Sequence, residues 1–221
     1  MECNCSTEGF DKEFGAKRAS NELKRYFKKG PKGSTKLLID LLKLHDVKDK
    51  SLLDIGGGVG AIQFQLLDLG IKSVQNIDAS QAYIEKAIEG TEKLGYSSQT
   101  EHVYGDFVQI FEKIKNAEIV TLDKVICCYK EFRTLVQKSL NKTNEIYAII
   151  IPRDVWWVNF FHSLETFIRI VMRSKFRTYI HSINEIESII MENGFTRKSQ
   201  RYQREWLVCI YTKDKNKPQQ V

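Results

Sequence analysis

Long hydrophobic runs, prolines and biased tracts are scarce in this sequence of 221 residues. Only three residues are proline, and no window approaches the roughly 18 apolar residues that a membrane-spanning helix needs. The start, from Met1 to Cys5, has no apolar stretch behind a basic region, so we expect no secretory signal and a cytoplasmic protein. Hydrophobic residues make up 42% and charged residues 28%, as in ordinary globular proteins.

Cysteines are few, and none of the five forms a Cys-x-x-Cys pair. An odd number of cysteines without a secretory signal predicts reduced thiols rather than a disulfide framework. The pairs Cys3/Cys5 and Cys127/Cys128 can in principle bind zinc or a soft metalloid such as arsenic, but buried cysteine is common simply as a small apolar residue. We therefore expect no bound metal. Among the cysteines, Cys128 is the first candidate if a thiol does take part in the chemistry.

From residue 51 onward, short apolar segments alternate with segments of helical periodicity. Strands are predicted at 51–55, 73–77, 101–104, 118–122, 146–151 and 206–211, and helices at 61–68, 80–94, 131–140 and 183–193. This alternation is typical of a parallel sheet covered on both faces by helices, with the final strand antiparallel to its neighbour. In such sheets functional groups lie at the carboxyl ends of the strands.

The remaining segments flank this core. Residues from about Phe10 to His45 are predicted to form two helices, broken at Lys29–Gly33, with Ser34 or Thr35 capping the second helix. We divide the chain into a helical cap (1–46), a sheet domain (47–213) with a helical insertion at about 153–177, and a flexible tail (214–221).

The predicted insertion carries an apolar stripe interspersed with arginines. The stripe comprises Trp156, Trp157, Phe160, Phe161, Leu164, Phe167, Ile168 and Val171. We interpret it as packing plus the wall of a pocket, which we favour over peripheral membrane contact.

The most informative motif is the glycine-rich turn from Leu53 to Gly60, with the sequence LDIGGGVG. Its spaced glycines let the backbone turn sharply and approach a nucleotide-type cofactor. With Ala61 at its end, the turn also matches the glycine pattern of dinucleotide-binding folds, so a nicotinamide or flavin cofactor is an alternative. The carboxylate of Asp54 would repel a pyrophosphate but suits the cationic sulfonium and ammonium groups of S-adenosylmethionine (SAM), which is therefore the favoured cofactor.

Acidic residues follow the next strands in order. Asp78 can accept hydrogen bonds from ribose hydroxyls, and Asp106 can approach the adenine amino group while Phe107 forms an apolar wall. Alternatively, Asp78 and Asp106 cap the helices that follow them. The predicted cofactor-binding residues are Asp54, Gly56, Gly57, Gly58, Gly60, Asp78, Ala79, Asp106, Phe107, Leu122 and Asp123.

With these motifs, the chain resembles the class I SAM-dependent methyltransferases over roughly residues 51–151. The resemblance implies a Rossmann-like, three-layer α/β/α fold with a seven-stranded, mostly parallel sheet and SAM lying across the strand ends. Stretches including 25–27, 121–129, 152–154 and 176–181 look like the magnesium-protoporphyrin O-methyltransferases. In that group a histidine precedes the tyrosine after the fourth strand, and here Cys128 stands at the matching position, which argues against porphyrin carboxyl methylation by the same mechanism.

Methyl transfer from a sulfonium mainly requires an acceptor held about 3 Å from the methyl carbon and the exclusion of water. Tyr26, which matches an N-terminal tyrosine of the related group, Tyr129 and His181 are the candidates beside Cys128 for a role in catalysis. Alternatively, Tyr129 is a half-buried residue that only packs against its neighbours, and His181 caps the helix that begins near Ser182. The expected activity is methylation of a small molecule in a partly apolar pocket.

Two other functions are open. The basic N-terminal segment suggests a nucleic-acid methyltransferase, and its cations are Lys17, Arg18, Lys24, Arg25, Lys28, Lys29, Lys32 and Lys36. No Asp/Asn-Pro-Pro-aromatic turn follows the fourth strand, and such charges more often form a solvated helix face, so nucleic acid is not the expected partner. The third function is a non-catalytic partner protein that keeps the methyltransferase fold. The sequence leaves the oligomeric state open.

Overall fold

The computed structural model of the protein describes residues 13–159 and 176–214. The strands are β1 (Ser51–Ile55), β2 (Ser73–Asp78), β3 (Thr100–Tyr104), β4 (Ala117–Asp123), β5 (Thr143–Pro152), β6 (Phe195–Gln203) and β7 (Trp206–Lys213). The helices are α1 (Ala16–Lys29), α2 (Gly33–Leu42), α3 (Ala61–Asp68), α4 (Gln81–Leu94), α5 (Phe107–Ile110), α6 (Phe132–Asn141) and α7 (Ile183–Glu192).

One sheet contains all seven strands in the order β3-β2-β1-β4-β5-β7-β6. The pairs among β1 to β5 are parallel, whereas β7 is antiparallel to both β5 and β6. The strands β6 and β7 are joined by the two-residue turn Arg204-Glu205, in which Arg204 has a φ of 54°. The predicted seven-stranded, mostly parallel sheet with an antiparallel last strand is confirmed.

The alternating side chains of the strands form a core on each face of the sheet. Leu53 and Ile55 of β1 belong to one buried cluster, together with residues of α6 and α7. Leu52 of β1 belongs to another cluster, together with residues of α2 and α3. Since successive residues of a strand point to opposite faces, one short strand supplies both cores. The result is the predicted three-layer α/β/α arrangement.

The two N-terminal helices break where the sequence predicts. Gly30 has a φ of 69° and its N–H donates to the carbonyl of Tyr26 at 2.7 Å, which ends α1. The predicted cap of α2 is wrong, because Lys32 occupies the capping position and makes no side-chain cap. Ser34 and Thr35 both lie inside the first turn, and the hydroxyl of Thr35 donates to Asp123 instead.

The strand β6 was not recognised in the sequence. It lies at the edge of the sheet, and Phe195 is its one buried residue, so it lacks the apolar alternation of a half-buried strand. Its place depends on the hairpin pairing with β7, and an exposed edge strand held mainly by backbone hydrogen bonds leaves little apolar pattern in the sequence.

Part of the predicted insertion is described. Residues 156–159 are helical, and the ring of Phe176 packs edge-on against Phe14 with ring centroids 5.4 Å apart. The rest of the predicted apolar stripe, from Phe160 to Val171, lies outside the described residues, as do Cys3, Cys5 and the tail beyond residue 214. Within ranges 13–159 and 176–214, no helix has the length and apolar character needed to cross a membrane.

Candidate functional site

The glycine-rich turn connects β1 to α3, and neighbouring side chains leave no room for a Cβ atom at Gly56, Gly57 or Gly60. Gly56 has a φ of 65°, and a Cβ atom there would lie 2.5 Å from Cγ2 of Val125. A Cβ atom at Gly57 would lie 2.2 Å from Oδ1 of Asn76 and 2.8 Å from Oδ2 of Asp54. The backbone of the turn therefore rests directly on side chains of the neighbouring strands.

A row of polar side chains crosses the sheet beneath this turn. Asp54 of β1 is in register with Asn76 of β2 and with Thr121 of β4, and Asn76 is in register with His102 of β3. The hydroxyl of Thr121 donates to Oδ1 of Asp54 at 2.6 Å, and Nδ2 of Asn76 lies 3.2 Å from Nδ1 of His102. Asp54, Asn76 and Thr121 are buried.

The buried position of Asp54 in this row raises the pKa of its carboxyl group. Burial raises the pKa of Asp54 from its ordinary value of 3.8 to about 7, while the hydrogen bond from Thr121 opposes the rise and the charges of Asp123 and Asp78 add to it. Oδ2 of Asp54 and Oδ1 of Asn76 are buried without a hydrogen-bond partner in the described part of the chain. A proton on Asp54 would remove its buried charge, and a cation above the turn would offset that charge.

Asp78 connects the turn to the start of α4. Its Oδ2 accepts the N–H of Gly58 at 3.0 Å, and its Oδ1 accepts the N–H of Ser80 at 2.8 Å. The helix cap of α4 is Ser80, whose hydroxyl accepts the N–H of Tyr83. Asp78 also lines the cavity described below, so it is placed to accept hydrogen bonds from a ligand there.

Asp106 caps the helix that follows it, which was the alternative to a cofactor contact. It is the N-cap of α5, with Oδ1 accepting the N–H of Val108 at 2.9 Å and the hydroxyl hydrogen of Tyr129 at 2.7 Å. Its neighbours Gly105 and Phe107 line the cavity, whereas Asp106 does not. These bonds confirm the alternative, helix-capping role of Asp106, and its expected contact with the adenine amino group stays a prediction.

A cavity of about 1100 Å³ opens over the carboxyl ends of β1, β2 and β4, beneath α1 and α2. The predicted cofactor residues that line it are Asp54, Gly56, Gly57, Asp78, Ala79, Phe107 and Asp123. Gly58, Gly60 and Leu122 do not line it. Gly60 is the N-cap of α3 with a φ of 96°, and Leu122 is a core residue, so their contact with a cofactor stays a prediction.

Two of the four catalytic candidates face this cavity. Cys128 and Tyr129 both line it, and they belong to the loop between β4 and α6. The thiols of Cys127 and Cys128 lie 3.3 and 3.5 Å from the backbone carbonyl of Lys124, to which both donate. The hydroxyl of Tyr129 donates to Asp106, so the part of Tyr129 that faces the cavity is its ring and not its hydroxyl group.

The other two candidates lie elsewhere. The hydroxyl of Tyr26 accepts a hydrogen bond from Gln65 at 3.1 Å, its ring packs near that of Phe64, and burial raises its pKa. Tyr26 packs in one buried cluster with Val59, Phe64 and Tyr83, and it does not itself line the cavity.

His181 stacks on Phe132 with ring centroids 4.2 Å apart, and its Nε2 bonds the carbonyl of Tyr129 at 2.8 Å. Burial lowers the pKa of His181. The alternative helix-capping role is also wrong, because the hydroxyl of Ser182 accepts the N–H of Glu185 and caps α7. His181 holds the loop that carries Tyr129 and does not line the cavity.

The structure adds a polar network that the sequence did not reveal. The hydroxyl of Thr35 donates to Oδ2 of Asp123 at 2.5 Å, and Nζ of Lys124 lies 2.8 Å from Oδ1 of Asp123 and 3.2 Å from Thr35. Lys124 has a φ of 64°, an uncommon left-handed conformation for a residue with a side chain. The sequence shows an Asp-Lys pair at a strand end, but only the fold brings Thr35 to it.

Apolar side chains form further parts of the cavity wall. Phe14, Trp157, Val158, Phe176 and Trp206 are among the lining residues. Nζ of Lys124 lies 5.3 Å from the centroid of the Trp206 ring, so the charged and apolar portions meet there. Among the residues that the structure describes, no group of three or more His, Cys, Asp or Glu side chains is arranged to hold a metal ion.

Comparison with known proteins identifies the fold. No family model and no curated protein matches the sequence. Among solved structures, the chain is similar to magnesium protoporphyrin IX methyltransferase (ChlM) from Synechocystis with bound S-adenosylhomocysteine (SAH), with a TM-score of 0.68, 14% identity and 96% of each chain covered. It is also similar to an O-methyltransferase family protein from Burkholderia thailandensis, with a TM-score of 0.70, 13% identity, and 94% of this chain and 63% of that chain covered.

A third similar structure is a putative sarcosine dimethylglycine methyltransferase from Galdieria sulphuraria, with a TM-score of 0.63, 14% identity, and 82% and 85% of the two chains covered. At these identities the likeness concerns the fold. The chain has the class I methyltransferase fold, as the sequence motifs predict.

Proposed function

We propose that this protein is a SAM-dependent methyltransferase that acts on a small molecule held in the part of the cavity beyond Lys124. The observation that carries the proposal is the glycine turn, which opens into a large cavity between two acidic residues, Asp54 and Asp78. The similarity of the fold to proteins crystallised with SAM and SAH supports the choice of cofactor.

The residues at the turn fit a cationic cofactor. The buried Asp54 places a potential negative charge directly under the turn, and its Oδ2 has no described hydrogen-bond partner. Asp78 stands at the second strand end for ribose hydroxyls, and Phe107 supplies an apolar wall. When bound, SAM would supply an electrophilic methyl group for an in-line displacement.

The protein's part in such a reaction is mainly positional. The aromatic walls around Trp157 and Trp206 would exclude water, and Lys124 and Asp123 would orient polar groups of the acceptor. Among the candidate residues, Cys128 and Tyr129 line the cavity, while Tyr26 and His181 do not. This distribution supports an acceptor that needs alignment more than a strong general base.

The cofactor assignment is tested by isothermal titration calorimetry with SAM and SAH. Wild-type protein should bind both, and Asp78→Asn should weaken SAH binding about tenfold because a charged acceptor is lost. Asp40→Asn is the matched control, since Asp40 pairs with Lys36 on α2 and does not line the cavity. Wild-type protein that binds neither ligand would overturn the proposal.

Turnover separates the proposed acceptor class from the alternatives. We expect conversion of SAM to SAH, measured by mass spectrometry, with one or more small apolar molecules bearing a polar group. Of the basic N-terminal residues, Arg18, Arg25 and Lys32 line the cavity, so part of this charge is available to an acceptor held there, which supports a small acceptor. Turnover with RNA alone would reverse this choice.

A further inference from the structure

The N-terminus of α2 faces the cavity with its backbone donors available. Lys32 precedes the helix without a side-chain cap, and the first turn contains no acidic residue. Among the residues that the structure describes, the N–H groups of Gly33, Ser34 and Thr35 have no hydrogen-bond acceptor. A helix of ten residues leaves such N–H groups and a partial positive charge at its start, and both favour a bound anion.

Ser34 provides an independent indication that a ligand belongs here. The residue is only 4% exposed, and it lines the cavity. Its hydroxyl makes no hydrogen bond in ranges 13–159 and 176–214. The Ser34 hydroxyl is therefore available to donate a hydrogen bond to a ligand in the cavity.

The charges around this turn suit a bound anion. Lys32, Lys124 and Arg25, whose guanidinium donates to the carbonyl of Gly30, contribute three positive charges, and Asp123, which Lys124 and Thr35 contact, contributes one negative charge. Gly33 leaves room, because a Cβ atom built on it would meet nothing within 4 Å. The excess of positive charge favours an anionic group such as a carboxylate at this end of the cavity.

We propose that the N-terminus of α2, with the Ser34 hydroxyl and the Lys32 ammonium group, binds a carboxylate in the cavity. This inference rests on the proposed function, since it assigns a carboxylate-binding end to the same methyl-transfer cavity. The carboxylate has two available sources: the amino-acid part of SAM, or an acceptor that carries a carboxyl group. Both present the same group to the same donors.

The test uses Ser34→Ala and Lys32→Gln in the full chain, with Lys36→Gln as the matched control. Lys36 lies one turn further along α2, does not line the cavity, and loses the same charge on substitution. Lys32 is exposed, so its variant keeps the assay informative even if the buried Ser34→Ala variant unfolds. Each variant is titrated calorimetrically with SAH, with 5′-methylthioadenosine, which lacks the carboxylate, and with benzoate after SAH is bound.

If the cofactor supplies the carboxylate, both test variants weaken SAH binding about tenfold and leave 5′-methylthioadenosine binding unchanged. If the acceptor supplies it, SAH binding is unchanged, whereas benzoate binds SAH-loaded wild-type protein and binds both variants about tenfold more weakly. In either case benzamide, the neutral analogue of benzoate, does not compete for the site.

The inference is overturned if neither SAH nor benzoate responds to the two test variants more than to Lys36→Gln, or if inorganic phosphate binds more tightly than benzoate. Failure of the proposed function is a separate result. Wild-type protein would then not bind SAH, while benzoate titrated into the protein without SAH would still report on the carboxylate site.

Discussion

Replacement of the buried Asp54 by asparagine should stabilise the protein at neutral and alkaline pH. The two side chains have nearly the same shape, and an asparagine oxygen can still accept the hydrogen bond from Thr121. The substitution therefore removes the charge and keeps the contacts.

The size of the effect follows from the pKa of Asp54. Burial raises this pKa from 3.8 to about 7, and one pKa unit corresponds to about 1.4 kcal/mol, so the folded state bears an ionisation penalty of about 4 kcal/mol. Below pH about 4 the aspartate is protonated in the folded and unfolded states, and the penalty is absent. As the pH rises to about 7, the unfolded chain releases the proton while the folded protein retains it, so the wild type loses stability relative to the variant.

Urea unfolding of both proteins, followed by circular dichroism from pH 4 to pH 8, measures this difference. The free energy of unfolding of Asp54→Asn minus that of the wild type should grow from near zero to about 4 kcal/mol and then level off above pH about 7. A difference that stays constant with pH would refute the reasoning. A wild type that gains stability relative to the variant as pH rises would show that the carboxylate is stabilised instead.

Three further outcomes follow from the site. Gly57→Ala should lower the free energy of unfolding by about 2 kcal/mol and weaken SAH binding, because its Cβ atom would overlap the buried oxygens beneath the turn. Gly95→Ala, which meets no neighbouring atom, should show only the backbone effect of a positive φ, and urea unfolding and calorimetry compare the two variants. Tyr129→Phe should lower the free energy of unfolding by about 1 to 2 kcal/mol, because Asp106 loses a buried hydrogen bond, and equal stability would contradict that bond. Tyr26→Phe should leave kcat of any methyl transfer within about twofold of wild type, since its hydroxyl faces Gln65 rather than the cavity, and a loss of a hundredfold or more would return Tyr26 to the reaction.

Local patterning predicted the elements that bury an apolar face. The bounds of β1 and α3 agree with the sequence prediction, because an apolar run, a glycine turn and a helical stripe follow each other without ambiguity. The edge strand β6 was missed, since it has little to bury and depends on β7. The cap of α2 was wrong because Thr35 finds a more distant carboxylate, Asp123, in place of its own backbone.

The site was predicted in outline for a similar reason. Asp54 and Asp78 stand at strand ends, where the topology of a parallel sheet collects functional groups. The direction in which a loop side chain points depends on tertiary packing, which turned Asp106 toward Tyr129 and His181 toward Phe132. Ser34 and Lys32 reach the cavity only through the docking of α2, so no local motif marks them. The division of the chain into cap, sheet domain and insertion stays a prediction.

The position of β7 between β5 and β6 has a consequence for how the chain folds. Residues 206–213 complete the interior of the sheet, so β6, although made earlier, has no partner in the sheet until β7 is in place. The sheet therefore closes through contacts between segments far apart in the chain, which slows folding because the entropy of long loops must be overcome first. Until that step, the apolar edge of β5 stays open and is the part of the newly made protein most exposed to wrong pairing.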